Sequence, residues 1–100
     1  MSKSPTQRTL AELRKRGYRA QTVERWNPFA KVRQDLFGII DVIAVGNGET
    51  VGVQATSASN VSARVRKIAE AEAVPDLRKA GWKLLVWGWD KGKLREVDVS

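Results

Sequence analysis

Two polar positions set in apolar surroundings carry the chemistry this chain can offer. Asp41 interrupts the run Gly38-Ile39-Ile40-Asp41-Val42-Ile43-Ala44, and Gln54-Ala55-Thr56 closes a second apolar run that begins at Thr50. A carboxylate in a buried strand is costly unless a metal or hydrogen bonds offset its desolvation. Gln54 and Thr56 stand two apart, so on a strand they project from one face. The intervening Gly46-Asn47-Gly48 is a strong hairpin signal and makes the two runs adjacent strands. In the right register, a carboxylate, an amide oxygen and a hydroxyl converge. Asp41 then anchors a metal ion, Gln54 is a neutral ligand, and Thr56 orients a water or a phosphate oxygen. Thr56 cannot stabilise charge as an ammonium would.

The residue inventory narrows that chemistry. The sequence contains no His and no Cys. This removes disulfides, thiolate chemistry, zinc-cysteine sites and the Ser-His-Asp triad. Any metal must be held by oxygen, which favours Mg²⁺ or Mn²⁺. One Asp holds Mg²⁺ weakly, and Asp35 is the candidate second carboxylate. Its other role is to fix the Asp35-Leu36-Phe37-Gly38 turn through backbone amides. Glu49, at a turn end, and Glu12, on the first helix, read as solvated.

The elements that must position these residues follow from local patterns. The chain has 100 residues, enough for one domain, 1–100, whose small core would gain from dimerisation. Ser4-Pro5-Thr6-Gln7 is a helix start, with Ser4 as cap, Pro5 at the first position and Gln7 completing a capping box. Gly17 ends that helix. Tyr18 to Trp26 reads as a strand, and Asn27-Pro28 opens a loop carrying Lys31 and Arg33. Gly38 to Val45 and Thr50 to Thr56 are the hairpin strands. Ser57, Ser59 and Asn60 offer caps for a helix marked by Val61, Val65 and Ile68. Pro75 to Ala80 is a short helical turn closed by Gly81. Trp82 to Trp89 is a strand, and Leu94 to Val99 is an edge strand. The order is α-β-β-β-α-β-β, an α/β domain in which helices pack on a mixed central sheet.

Charge identifies a class of partner. The net charge is +7 at a hydrophobic content of 42%, so the chain is globular and strongly basic. A polyanion, most simply nucleic acid, suits that excess. A basic protein with no such partner is the alternative. Arg64 and Lys67 are three apart and share a helical face distinct from the apolar stripe. With Arg66 and the Ser57, Ser59, Asn60 segment they would lie near the hairpin site, where helix amides can hold phosphate. Trp26 and Phe29 can stack on bases or wedge a junction, or else pack under their loop. Trp87 and Trp89 share one strand face and Trp82 the other, as core or as a dimer seal. No apolar run is long enough to span a bilayer, and the polar start, Met1 to Pro5, has no apolar h-region.

On Asp41, Gln54-Ala55-Thr56 and this element order, the chain resembles the PD-(D/E)XK nuclease superfamily, in particular small phage and archaeal Holliday-junction-resolvase-like and VRR-NUC-like members. The resemblance implies a restriction-endonuclease-like αβββαβ core. It implies that Asp41 matches the acidic residue of the second core strand. Gln54 falls at the Glu/Gln position of the third strand and Thr56 at the Lys position. The first-helix Glu of many members falls at Gln7 (or Thr6), which carries no charge. The function implied is a Mg²⁺- or Mn²⁺-dependent DNA endonuclease acting on branched or duplex DNA as a homodimer, in the cytoplasm of a bacterial or phage-infected cell. A nucleic-acid-binding protein on the same fold with its chemistry lost is the second reading. A phage-encoded protein-interaction module using the Trp-rich strand is the third.

Overall fold

A computed structural model describes residues 3–100; Met1 and Ser2, the first residues of the polar start, lie outside the described residues. The first helix, α1 (Pro5–Lys15), begins as its sequence requires. Ser4 Oγ accepts from the Gln7 amide and Gln7 Oε1 accepts from the Ser4 amide, both at 3.2 Å. Gly17 turns the chain with a φ of +96°. The helix buries Thr9 and Leu13.

Among the described residues, seven strands follow. They are β1 (Arg19–Thr22), β2 (Arg25–Asn27), β3 (Val32–Gln34), β4 (Val42–Gly46), β5 (Glu49–Ser57), β6 (Lys83–Asp90) and β7 (Lys93–Asp98). Two helices, α2 (Val61–Ala69) and α3 (Val74–Lys79), occupy the connection from β5 to β6. The main sheet has the order β1-β4-β5-β6-β7, with β5 and β6 parallel and every other pair antiparallel. This is an α/β fold with a mixed five-stranded sheet flanked by helices, as expected from the element pattern. The β4–β5 turn has positive φ at both Asn47 and Gly48, which matches the right-handed twist of the strands it joins.

Three expectations from the sequence change. The strand expected from Tyr18 to Trp26 divides at Val23-Glu24. The Val23 amide donates to the Asp41 carbonyl at 3.0 Å, and the chain then leaves the main sheet. What was expected as a loop from Asn27 is a two-stranded ribbon, in which β2 and β3 pair only with each other. The strand expected from Gly38 begins at Val42 instead. Leu36 and Ile40 close a turn through mutual backbone bonds of 2.8 and 3.0 Å, with positive φ at Phe37 and Gly38. Asp41 therefore stands at the mouth of β4, still tied to β5 through its amide and the Val53 carbonyl at 3.1 Å.

The sheet divides the core in two. Leu13, Val42, Val53, Leu85 and Trp87 pack on one face, with Leu10 and Trp89 against them. Ile39, Ile40, Val61, Ile68, Leu77 and Val86 form the other cluster, on the side of α2 and α3. Gly88 sets how closely the second layer approaches. A Cβ there would lie 2.3 Å from Val61 Cγ2 and 2.9 Å from Ala58 Cα. The tryptophans alternate as expected. Trp87 is buried with the Arg16 guanidinium 4.9 Å from its ring centre, and Trp89 Nε1 donates to Thr9 Oγ1 at 3.0 Å. Trp82 meets Phe37 edge-on in the opposite layer. The Trp87–Trp89 face is thus packed against α1 of the same chain and serves as core. Among the described residues, no helix is long and apolar enough to cross a membrane.

Candidate functional site

The β4–β5 hairpin brings Asp41 and Gln54 together because Val42 pairs with Val53, which puts the preceding and following residues opposite each other. Asp41 is 4% exposed, and Gln54 and Thr56 are also buried. The Asp41 carboxylate accepts from the Ala55 amide at 3.0 Å through Oδ1 and 3.2 Å through Oδ2. Gln54 Nε2 donates to Asp41 Oδ2 at 3.0 Å and, at the limit of hydrogen bonding, to Asp35 Oδ2 at 3.5 Å.

Glu24 completes the group. It lies between β1 and β2, and the sequence reading did not single it out. Carboxylate oxygens of Glu24, Asp35 and Asp41 all come within 4.8 Å of one another, an arrangement that can hold a metal ion. Its signal was available only indirectly: Glu24 follows the last residue that pairs with the Asp41 backbone. Reading Tyr18 to Trp26 as one continuous strand concealed it.

These groups line an open cleft of about 940 Å³, which Thr56, Ser57, Arg33, Arg64 and Lys67 also line. Two of the carboxylates have cationic neighbours. Arg33 Nη1 is 3.6 Å from Glu24 Oε2, and Lys67 Nζ is 3.9 Å from Asp35 Oδ2. Asp41 has no such partner among the described residues. Burial pushes its carboxyl up to about 7, and the charges of Asp35 and Glu24 add to this. The Ala55 amide and the Gln54 side chain oppose the rise without cancelling it.

Other expected residues fall elsewhere. Gln7 is spent on the α1 capping box, and Pro5 and Thr6 reach the cleft in its place. Lys31 lies at the tip of the β2–β3 ribbon. Arg66 lines a separate hollow with Phe37 and Glu70. Ser57 Oγ lies 3.2 Å from Ser59 Oγ and accepts from Asn60 Nδ2 at 3.0 Å, but neither Ser59 nor Asn60 lines the cleft. A 3₁₀ turn, Ala58–Asn60, separates β5 from α2. The helix start at Val61 is buried beside Gly88, so α2 contributes Arg64 and Lys67 to the cleft rather than its first amides.

Gln54 differs from expectation in one atom. Its amide nitrogen, not its oxygen, faces the carboxylates, where it donates to Asp41 and, at the limit of hydrogen bonding, to Asp35. Gln54 Oε1 is buried and finds no hydrogen-bond partner among the described residues. An unsatisfied buried acceptor costs on the order of 1–3 kcal/mol. A half-turn of the amide would present that oxygen to the acidic group, where a cation would satisfy it. The donor set of three carboxylates and one amide oxygen is all oxygen and fits a hard divalent cation. No family model, curated protein or solved structure matches the chain.

Proposed function

We propose that this protein is a Mg²⁺- or Mn²⁺-dependent DNA endonuclease with a restriction-endonuclease-like core, hydrolysing phosphodiester bonds in branched or structured DNA. The observation that carries the reading is the meeting of Glu24, Asp35 and Asp41 beside the unpartnered Gln54 Oε1, in a cleft also lined by Arg33, Arg64 and Lys67. The helix-first element order and the net charge of +7 support it further.

Asp41, Asp35, Glu24 and Gln54 Oε1 are the groups that would hold the cation. When bound, a divalent cation supplies charge neutralisation at the phosphate and lowers the pKa of an attacking water. The chain does the rest. Lys67 and Arg64 offer positive charge to the phosphate, the role an ammonium at position 56 would otherwise serve. Thr56 offers a hydroxyl to a phosphate oxygen or a water. A cation competes with the proton on Asp41, so cation affinity is expected to rise with pH until the cation-free carboxyl is ionised, at about 7.

The test is incubation of the pure protein with branched, flapped, single-stranded and linear duplex DNA in Mg²⁺ or Mn²⁺. Cleavage is expected with the wild type, and its loss with Asp41→Ala or a chelator. Cleavage that survives Asp41→Ala overturns the assignment.

One observation favours a second reading, a DNA-binding protein without catalysis. Gln54 Nε2, Arg33 and Lys67 are donors and cations within the chain that themselves offset the charge of the carboxylates. That reading requires DNA binding that is indifferent to chelator and weakens steeply with salt.

A further inference from the structure

The β2–β3 ribbon stands apart from the rest of the fold. It pairs with no strand of the main sheet, and every residue from Arg25 to Gln34 except Asn27 is exposed. Phe29 is 97% exposed and Trp26 58%. Neither aromatic contributes to the core, so neither is explained by folding. The tip is nevertheless ordered by its own bonds. Asn27 Oδ1 accepts from the amides of Phe29 at 3.0 Å and Ala30 at 3.2 Å.

Charge indicates what the ribbon meets. Residues 25–34 carry Arg25, Lys31 and Arg33 and no acidic residue. Exposed cations interleaved with exposed aromatics match the two surfaces of a single nucleic-acid strand, its phosphates and its base faces. A paired duplex hides its base faces, so the aromatics would find little to contact there. The ribbon also has a fixed relation to the cleft. Trp26 pairs directly with Arg33, so the two share a ribbon face, and Arg33 lines the acidic cleft. A strand whose phosphate lay in the cleft would run towards Trp26 and then Phe29.

We infer that the β2–β3 ribbon is a stacking platform for unpaired DNA bases, with Phe29 and Trp26 contacting base faces and Arg33 and Lys31 the adjoining phosphates. This deepens the nuclease reading, on which it rests: it makes unpaired nucleotides beside a branch the feature selected by the protein.

The experiment uses the full chain in chelator, so that binding is read without cleavage. The probes are a flapped DNA carrying 2-aminopurine at the first unpaired position and a blunt duplex of equal length. Binding is followed by anisotropy and stacking by 2-aminopurine fluorescence. The wild type is expected to prefer the flap and to change the 2-aminopurine signal. Phe29→Ala is expected to weaken flap binding by about fivefold to a hundredfold and to leave duplex binding within about twofold. Phe29→Trp is expected to retain both flap affinity and signal. Trp26→Ala, which keeps the tip, provides an independent second reading. Equal flap affinity in the wild type, Phe29→Ala and Trp26→Ala overturns the platform and leaves the nuclease proposal standing. Stacking lost in Phe29→Ala, in a wild type that cleaves nothing once Mn²⁺ is added, supports the platform and removes the nuclease. A dimer that Trp26→Ala converts to monomer, with no change in flap affinity, reassigns the ribbon to self-association.

Discussion

Asp41 is a buried carboxyl whose protonation couples folding to the proposed cation site. In the fold it keeps its proton up to about 7, against an ordinary value of 3.8. Between those values the native state binds more protons than the unfolded chain, so stability falls as pH rises through that window and levels off above it. The cation-free protein is therefore expected to lose stability from about pH 4 to about pH 7, by a few kcal/mol in all. Asp41→Asn should flatten that slope and raise the melting temperature at pH 8, as measured by thermal denaturation in chelator. Cation affinity should move in the opposite sense, rising with pH until Asp41 is ionised. Gln54→Glu replaces the donor that now holds Asp35 and Asp41 with a further carboxylate. Calorimetry should find Mn²⁺ bound more tightly by that variant and its cation-free form less stable, through like-charge repulsion. Asp41 and Gln54 were legible as single residues because a polar group in an apolar run stands out, and Asp35 because it is a carboxylate in the turn that enters the Asp41 strand. Glu24 was not, because its place depends on where a strand breaks, and Thr22-Val23-Glu24-Arg25 contains no residue that marks a break.

The elements that hold the site depend on a few local contacts. The α1 capping box was legible from Ser4-Pro5-Thr6-Gln7, because each of its bonds spans three residues. The β4–β5 hairpin was legible from Gly46-Asn47-Gly48 for the same local reason. The β2–β3 ribbon was not, since Trp26, Val32 and Arg33 carry no period that separates a ribbon from a loop. Nor was the start of β4, which is set by the Leu36–Ile40 turn and its two left-handed residues. Gly88 governs the seating of α2. Gly88→Ala should destabilise by about 1–3 kcal/mol, because Ala58 backbone and Val61 must both move. Urea denaturation should show a lower midpoint. From α2, Lys67 reaches the acidic group by 3.9 Å to Asp35. Lys67→Ala should lower single-turnover cleavage by roughly a hundredfold if it stabilises charge at the phosphate. The same variant should leave Mn²⁺ affinity undiminished, since it removes a competitor for Asp35.

At the scale of the whole molecule, three carboxylates meet inside a chain whose net charge is +7. On the proposed reading, an acidic pocket in a basic protein would separate two tasks: the surface would attract a polyanion and the pocket a cation. DNA binding in chelator should therefore weaken linearly on a log–log plot against salt, with a slope near the number of phosphates contacted. The overall charge was legible from composition, whereas the local reversal of sign was not. It arises only when the β1–β2 connection, the Asp35 turn and β4 fold against one another. The most direct test of a cation site in that pocket is a Mn²⁺ titration of the wild type, Asp41→Asn and Glu24→Gln at pH 8, followed by calorimetry or by the Mn²⁺ resonance signal. Saturable binding is expected of the wild type, abolished in Asp41→Asn and weakened in Glu24→Gln. Binding of equal strength in all three, or none in the wild type, would contradict such a site.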